Sequence, residues 1–107
     1  MKRGSVVTIA LQGNDGKLRP AVVVLSDYFP EHPSVTVLPI ISDLRSTPFF
    51  RIDVEPEAQN GLLKPSRIMI DKAQAVPSEK IGKVIGLLDD TKMMAVNRAL
   101  ALWFGFA

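Results

Sequence analysis

The 107-residue sequence has no cysteine, one histidine, one tryptophan and one tyrosine. Without cysteine there is no disulfide framework, no thiolate zinc site and no cysteine nucleophile. With His32 as the lone imidazole, a hydrolytic triad has one possible base, and a histidine metal site would need carboxylates to complete it. Chemistry therefore falls to arginine, lysine, hydroxyls and carboxylates. The sequence also lacks any run near the roughly 18 apolar residues of a membrane span, and no signal-type apolar stretch follows Met1-Lys2-Arg3. These absences predict a cytoplasmic protein with no membrane partner. Internal repeats and low-complexity segments are absent too.

Apolar residues make up 47% of the chain and charged residues 22%, the balance of an ordinary globular protein. The length predicts one domain spanning residues 1–107 with a modest core. Thirteen basic against eleven acidic residues leave a net charge of +2, too small to predict nucleic-acid binding by itself. The distribution says more. Residues 1–26 carry Lys2, Arg3, Lys17 and Arg19 against Asp15 alone, whereas basic and acidic residues balance over 43–72.

Val7, Ile9 and Leu11 share one parity, which predicts a strand over Ser5–Gln12 with a buried face. Gly13-Asn14-Asp15-Gly16 breaks it, and Pro20 opens a second strand, Ala21–Leu25, whose valines suit burial on both faces. Val35–Ser42 is a third, with Pro39 pointing to a sheet edge or a bulge. Strict alternation over Phe50–Glu55 predicts a strand with one wet face bearing Asp53 and Glu55. Asn60-Gly61 is a turn, Ser66–Val76 another alternating stretch, and Lys83–Leu88 a short strand. From Thr91 to Phe104 the period becomes helical. Asp89-Asp90 can cap the start, Gly105 can end it, and Met93, Val96, Leu100 and Trp103 face the core. The expected fold is mainly β, a small, partly open antiparallel barrel with a C-terminal helix.

The loop Gln12–Arg19 combines two glycines with Lys17 and Arg19 between strands that should pair. Backbone amides at Gly16 and a forked guanidinium suit a phosphate, with Gln12 and Lys17 alongside; a solvated hairpin tip is the other reading. The loop lacks the Gly-Lys-Ser/Thr ending of a P-loop. His32, between Pro30 and Pro33, is either a solvated loop residue or an acid–base group. Lys64 and Ser66 read as structural residues at a strand entrance, with RNA contact as the less favoured reading.

Several segments together resemble the PemK/MazF toxin family. They are Lys2-Arg3-Gly4-Ser5-Val6-Val7, Gly16-Lys17-Leu18-Arg19-Pro20-Ala21-Val22-Val23-Val24, Val35-Thr36-Val37-Leu38-Pro39, Arg51-Ile52-Asp53-Val54, Asn60-Gly61-Leu62, Lys64-Pro65-Ser66 with Met69-Ile70-Asp71-Lys72, and Ile85-Gly86. Their order and spacing cover nearly the whole chain. The resemblance implies an SH3-like barrel of the PemK/CcdB type, a homodimer, and the toxin of a type II toxin–antitoxin pair. It further implies a metal-independent endoribonuclease, with no cofactor, that cuts single-stranded RNA and is bound by a small acidic antitoxin.

By that resemblance Arg19 is the catalytic arginine; on the loop's own chemistry Lys17, Gly16 and Gln12 are the expected RNA-phosphate contacts, with Lys17 equally open to being a surface charge. The family hydroxyl aligns with Ile41, which cannot transfer a proton, so the resemblance implies an enzyme impaired unless Ser42 replaces it. Ser42 has the opposite parity along a regular strand, so only a bulge or the strand's end would bring it to the same side. Thr36 also faces away from Ile41. The terminal Trp103-Phe104-Gly105-Phe106-Ala107 is similar to the ending of gyrase-poisoning CcdB toxins, which leaves a non-enzymatic toxin as one alternative. A family member that only dimerises and binds antitoxin is the other.

Overall fold

A computed structural model describes residues 1–10, 17–43 and 50–107. Strands β1 (Ser5–Ala10), β2 (Leu18–Val23), β3 (Ser34–Ile41), β4 (Arg51–Val54), β5 (Ser66–Met69), β6 (Gln74–Pro77) and β7 (Ile81–Leu87) precede one helix, α1 (Asp90–Phe104). The strands pair in the order β4-β5-β3-β2-β1-β7, with β6 also on β3, and every pairing is antiparallel. No helix of the described residues is long and apolar enough to cross a membrane.

β3 organises the sheet by pairing with different strands along one flank. Its first half pairs with β6, from Ser34↔Pro77 to Val37↔Gln74, and its end pairs with β5 at Ile40↔Ile68 and Ile41↔Arg67. The two ladders are out of step, and a 3₁₀ turn at Ile70–Lys72 takes up the extra chain while burying Ile70. The stretch Ser66–Val76 is thus two strands and a turn, a break that alternation could not reveal. Pro39 falls between the two ladders, opposite Ala21 of β2. It is fully buried, so the expected edge or bulge is a gap between ladders inside the sheet, where a missing N–H costs nothing.

Alternate side chains of these strands fill two cores. Val6, Val22, Leu38, Ile40, Val54 and Ile68 pack with Val96 and Ala99 of α1 on one face. Val7, Ile9, Ala21, Val23, Val35, Val37 and Val76 form the other cluster, with Ile81 of β7 against it. The sheet curls until its β6 and β7 ends share that cluster, but no β6–β7 ladder closes it into a full barrel.

The helix begins and ends where its caps predict. Asp89 accepts a hydrogen bond from the Lys92 amide at 2.7 Å, and Gly105 adopts φ 81°. The Phe106 amide reaches the Ala101 carbonyl at 2.7 Å, closing the last turn. Trp103 departs from the expected core: it is 47% exposed and leans on Phe50, with ring centroids 6.2 Å apart. Leu102 and Phe104 beside it are exposed as well, so the last turn of the helix is only partly covered.

Candidate functional site

β2 starts earlier than its apolar run predicts. Leu18 and Arg19 already pair with Ala10 and Ile9 of β1, so Arg19 belongs to a strand rather than to a loop. A backbone held in a ladder fixes where the guanidinium starts, which a hairpin tip would not. Arg19 is exposed, and among the described residues its side chain has no ion-pair partner. The β2–β3 register runs from Val23↔Val37 to Ala21↔Pro39, and two further residues bring Arg19 opposite Ile41.

These strand ends surround a cleft of about 260 Å³ lined by Arg19, Pro20, Ile40, Ile41, Ser42, Asp43 and Met69. β3 stops at Ile41, so Ser42 is free of strand alternation and shares the cleft with both Ile41 and Arg19. Across β3 the row continues with Arg67 opposite Ile41 and Asp53 opposite Arg67. Arg67 Nε lies 3.2 Å from Asp53 Oδ1, and Arg51 Nε lies 3.8 Å from the same oxygen. Beyond Ile41 the next cation on this row is therefore a largely covered guanidinium already held by a carboxylate.

Lys17 is exposed just ahead of β2 and does not line the cleft. Gln12 and Gly16 lie outside the described residues. His32 sits before β3, at the opposite end from Ile41, a strand length of roughly 23 Å away. Its Nδ1 is 3.0 Å from the Ser34 carbonyl oxygen and its ring meets Phe29 edge-on, so the fold does not bring it to Arg19. Thr36 lines a different cleft, with Leu100 and Phe104, in agreement with its parity. Asp43 and Met69 are cleft residues that the sequence reading passed over. The parity of Met69 would have identified it, but only with the β3–β5 register in hand. Among the described residues no three His, Cys, Asp or Glu side chains converge as a metal site.

Residues 2–104 match the family described as the PemK-like, MazF-like toxin of type II toxin–antitoxin systems. A probable endoribonuclease MazF of Mycolicibacterium smegmatis is 37% identical over 108 residues, spanning 100% of this chain and 99% of that protein. Endoribonuclease MazF3 of Mycobacterium tuberculosis is 31% identical over 85 residues, or 78% of this chain and 80% of its own. Among solved structures, the Mycobacterium tuberculosis toxin MazF-mt6 superposes with a TM-score of 0.78 at 26% identity, covering 94% of this chain and 96% of that one. An endoribonuclease from a mycobacterial species, solved with its cognate antitoxin, shares the fold at a TM-score of 0.81 and 18% identity, over 100% of this chain and 97% of that one.

Proposed function

We propose that this chain, which belongs to the PemK-like, MazF-like toxins of type II toxin–antitoxin systems, is an endoribonuclease that cuts single-stranded RNA by internal attack with Arg19 as its principal catalytic group. The relatives are endoribonucleases rather than gyrase poisons, which favours this reading over a non-enzymatic toxin. The observation that carries the site assignment is the exposed Arg19 guanidinium at an open strand end, in one cleft with Ser42.

In the proposed reaction the 2′-oxygen bonds to the adjacent phosphorus and the bond from phosphorus to the 5′-oxygen breaks. The products are a 2′,3′-cyclic phosphate and a 5′-hydroxyl. The 2′-hydroxyl gives up a proton and the departing 5′-oxygen gains one. Arg19 bears on the charge that gathers on the phosphorane oxygens, where a fixed cation in a partly enclosed site is most effective. Ser42 is the group in reach for relaying a proton, and Lys17 holds flanking phosphate.

The partners follow the same family logic. A cognate acidic antitoxin would cover the toxin, as an antitoxin accompanies one of the structural neighbours. A homodimer would bury the apolar side chains that the end of α1 leaves in solvent, Leu102, Trp103, Phe104 and the following Phe106.

The test is cleavage of end-labelled single-stranded RNA by the purified protein with a chelator present. Products ending in a cyclic phosphate support the reading. Failure to cut any of a set of randomised RNAs would overturn it.

A further inference from the structure

A second cleft of about 260 Å³ lies on the other side of Pro20 and Ser42, and both residues line it as well as the Arg19 cleft. The two adjoin at these residues, so a strand with a phosphate at Arg19 has the second cleft next to it. From this we infer that the second cleft seats the nucleobase next to the scissile phosphate and selects a keto base, guanine or uracil. This assignment rests on the RNA-cleaving reading of Arg19.

Its walls are apolar and unusually open: Leu63 is 93% exposed, Leu18 62% and Ile85 36%. Three large apolar side chains facing solvent around one concavity mark a contact site, and the faces of a base are apolar. The volume is below the roughly 300–1,000 Å³ typical of a whole small-molecule site, which suits one base rather than several peptide residues.

The walls are also preformed. Buried Asn60 accepts hydrogen bonds from the Glu57 and Leu62 amides at 3.1 and 2.9 Å, and donates to the Glu55 carbonyl at 2.9 Å. Gly61, at φ 72°, lies against the Ile85 carbonyl where no Cβ would fit. The Leu87 amide donates to Gln59 at 2.8 Å, tying the loop to β7.

The polar groups define the base edge. Thr8 Oγ1 already accepts from the Lys83 amide at 3.0 Å, which leaves its own proton to donate. Ser66 Oγ donates to the Lys64 carbonyl at 2.8 Å and fixes the backbone from which the Lys64 ammonium extends. No carboxylate lines the cleft among the described residues. One free hydroxyl donor, Thr8 Oγ1, and the positive charge of Lys64 complement the carbonyl oxygens of guanine or uracil, whereas the exocyclic amino groups of adenine and cytosine would meet no carboxylate there among the described residues.

The experiment compares wild type with Lys64→Met and Leu63→Ser, both changed at exposed side chains and checked for an unaltered melting temperature. One arm maps cut sites in a randomised RNA library. The other measures affinity for single-stranded oligonucleotides whose 2′-O-methyl groups prevent cleavage. Wild type is expected to favour guanine or uracil beside the cut by about tenfold, and each variant to bring that ratio towards one. If the protein binds with this preference but never cuts, the cleft stands and the catalytic reading falls. If it cuts, and both variants keep the wild-type base profile and affinities, the cleft assignment is overturned; this outcome would leave the cleft to a protein partner. A wild-type preference for adenine or cytosine also overturns it.

Discussion

β2 and β3 change character along their own lengths. From Ala21 to Val23 and from Val35 to Ile40, apart from Thr36, they are buried, with alternate residues in the two cores. At their other end Arg19 and Ser42 are exposed, and the half-buried Ile41 lies between them. The same two strands are scaffold at one end and site at the other. The difference teaches where positional accuracy comes from: Arg19 inherits it from Ala21 and Val23 two and four residues away, without being packed itself. Such a division predicts that changes at the open end alter rate but not stability, and that changes in the supporting structure do the reverse.

Arg19→Ala probes that division with the largest effect. Removing a fixed donor to a developing oxyanion commonly costs 10² to 10³ in rate, about 2.7–4 kcal/mol, so RNA cleavage should fall by that factor. Stability should change by no more than about 0.5 kcal/mol, because the side chain is exposed and has no ion-pair partner among the described residues. A melting temperature several degrees lower, at unchanged cleavage, would put Arg19 in the scaffold and erase the distinction.

Asn60→Ala is the converse. Asn60 is 4% exposed and its side chain makes three hydrogen bonds to backbone groups of its loop. Alanine leaves those groups poorly paired, with an expected loss of about 2–3 kcal/mol in stability. For a domain of this size each kcal/mol lowers the melting temperature by about 4–8 °C. Thermal unfolding followed by circular dichroism measures it. An unchanged melting temperature would mean that the loop is not held by this residue.

Much of this architecture was legible from the sequence because local chemistry and global fold agree. The helix carries its caps in Asp89 and Gly105, the Ala21–Val23 core shows as an uninterrupted apolar run, and Asn60-Gly61 marks its turn. The site was less legible, for a physical reason. Arg19 and Ile41 stood out by resemblance, but their neighbours are set by strand register, which depends on pairing across the chain rather than on any local pattern. Met69 reaches the cleft because β5 pairs where it does, and Ser42 because β3 stops at Ile41. The sequence reading also spread Ser66–Val76 into one stretch, since nothing local signals that β3 accepts two partners out of step.

Ile41→Thr is the smallest expected effect and the one that bears most directly on the open end. Ile41 is half-buried in the cleft opposite Arg19, and threonine keeps its β-branch and strand preference while supplying a hydroxyl where the family has one. If proton transfer limits the reaction, the single-turnover cleavage rate should rise about tenfold, or about 1.4 kcal/mol in barrier. Replacing the ethyl arm by a hydroxyl removes two carbon groups and should cost about 1.6 kcal/mol of stability or less, since the side chain is only partly buried. Comparing this variant with Ser42→Ala separates two arrangements. A faster Ile41→Thr enzyme means that the site runs short of a proton-transfer group. An unchanged Ile41→Thr rate together with a slow Ser42→Ala enzyme means that the end of β3 has already supplied that group, one residue later and outside the strand's alternation.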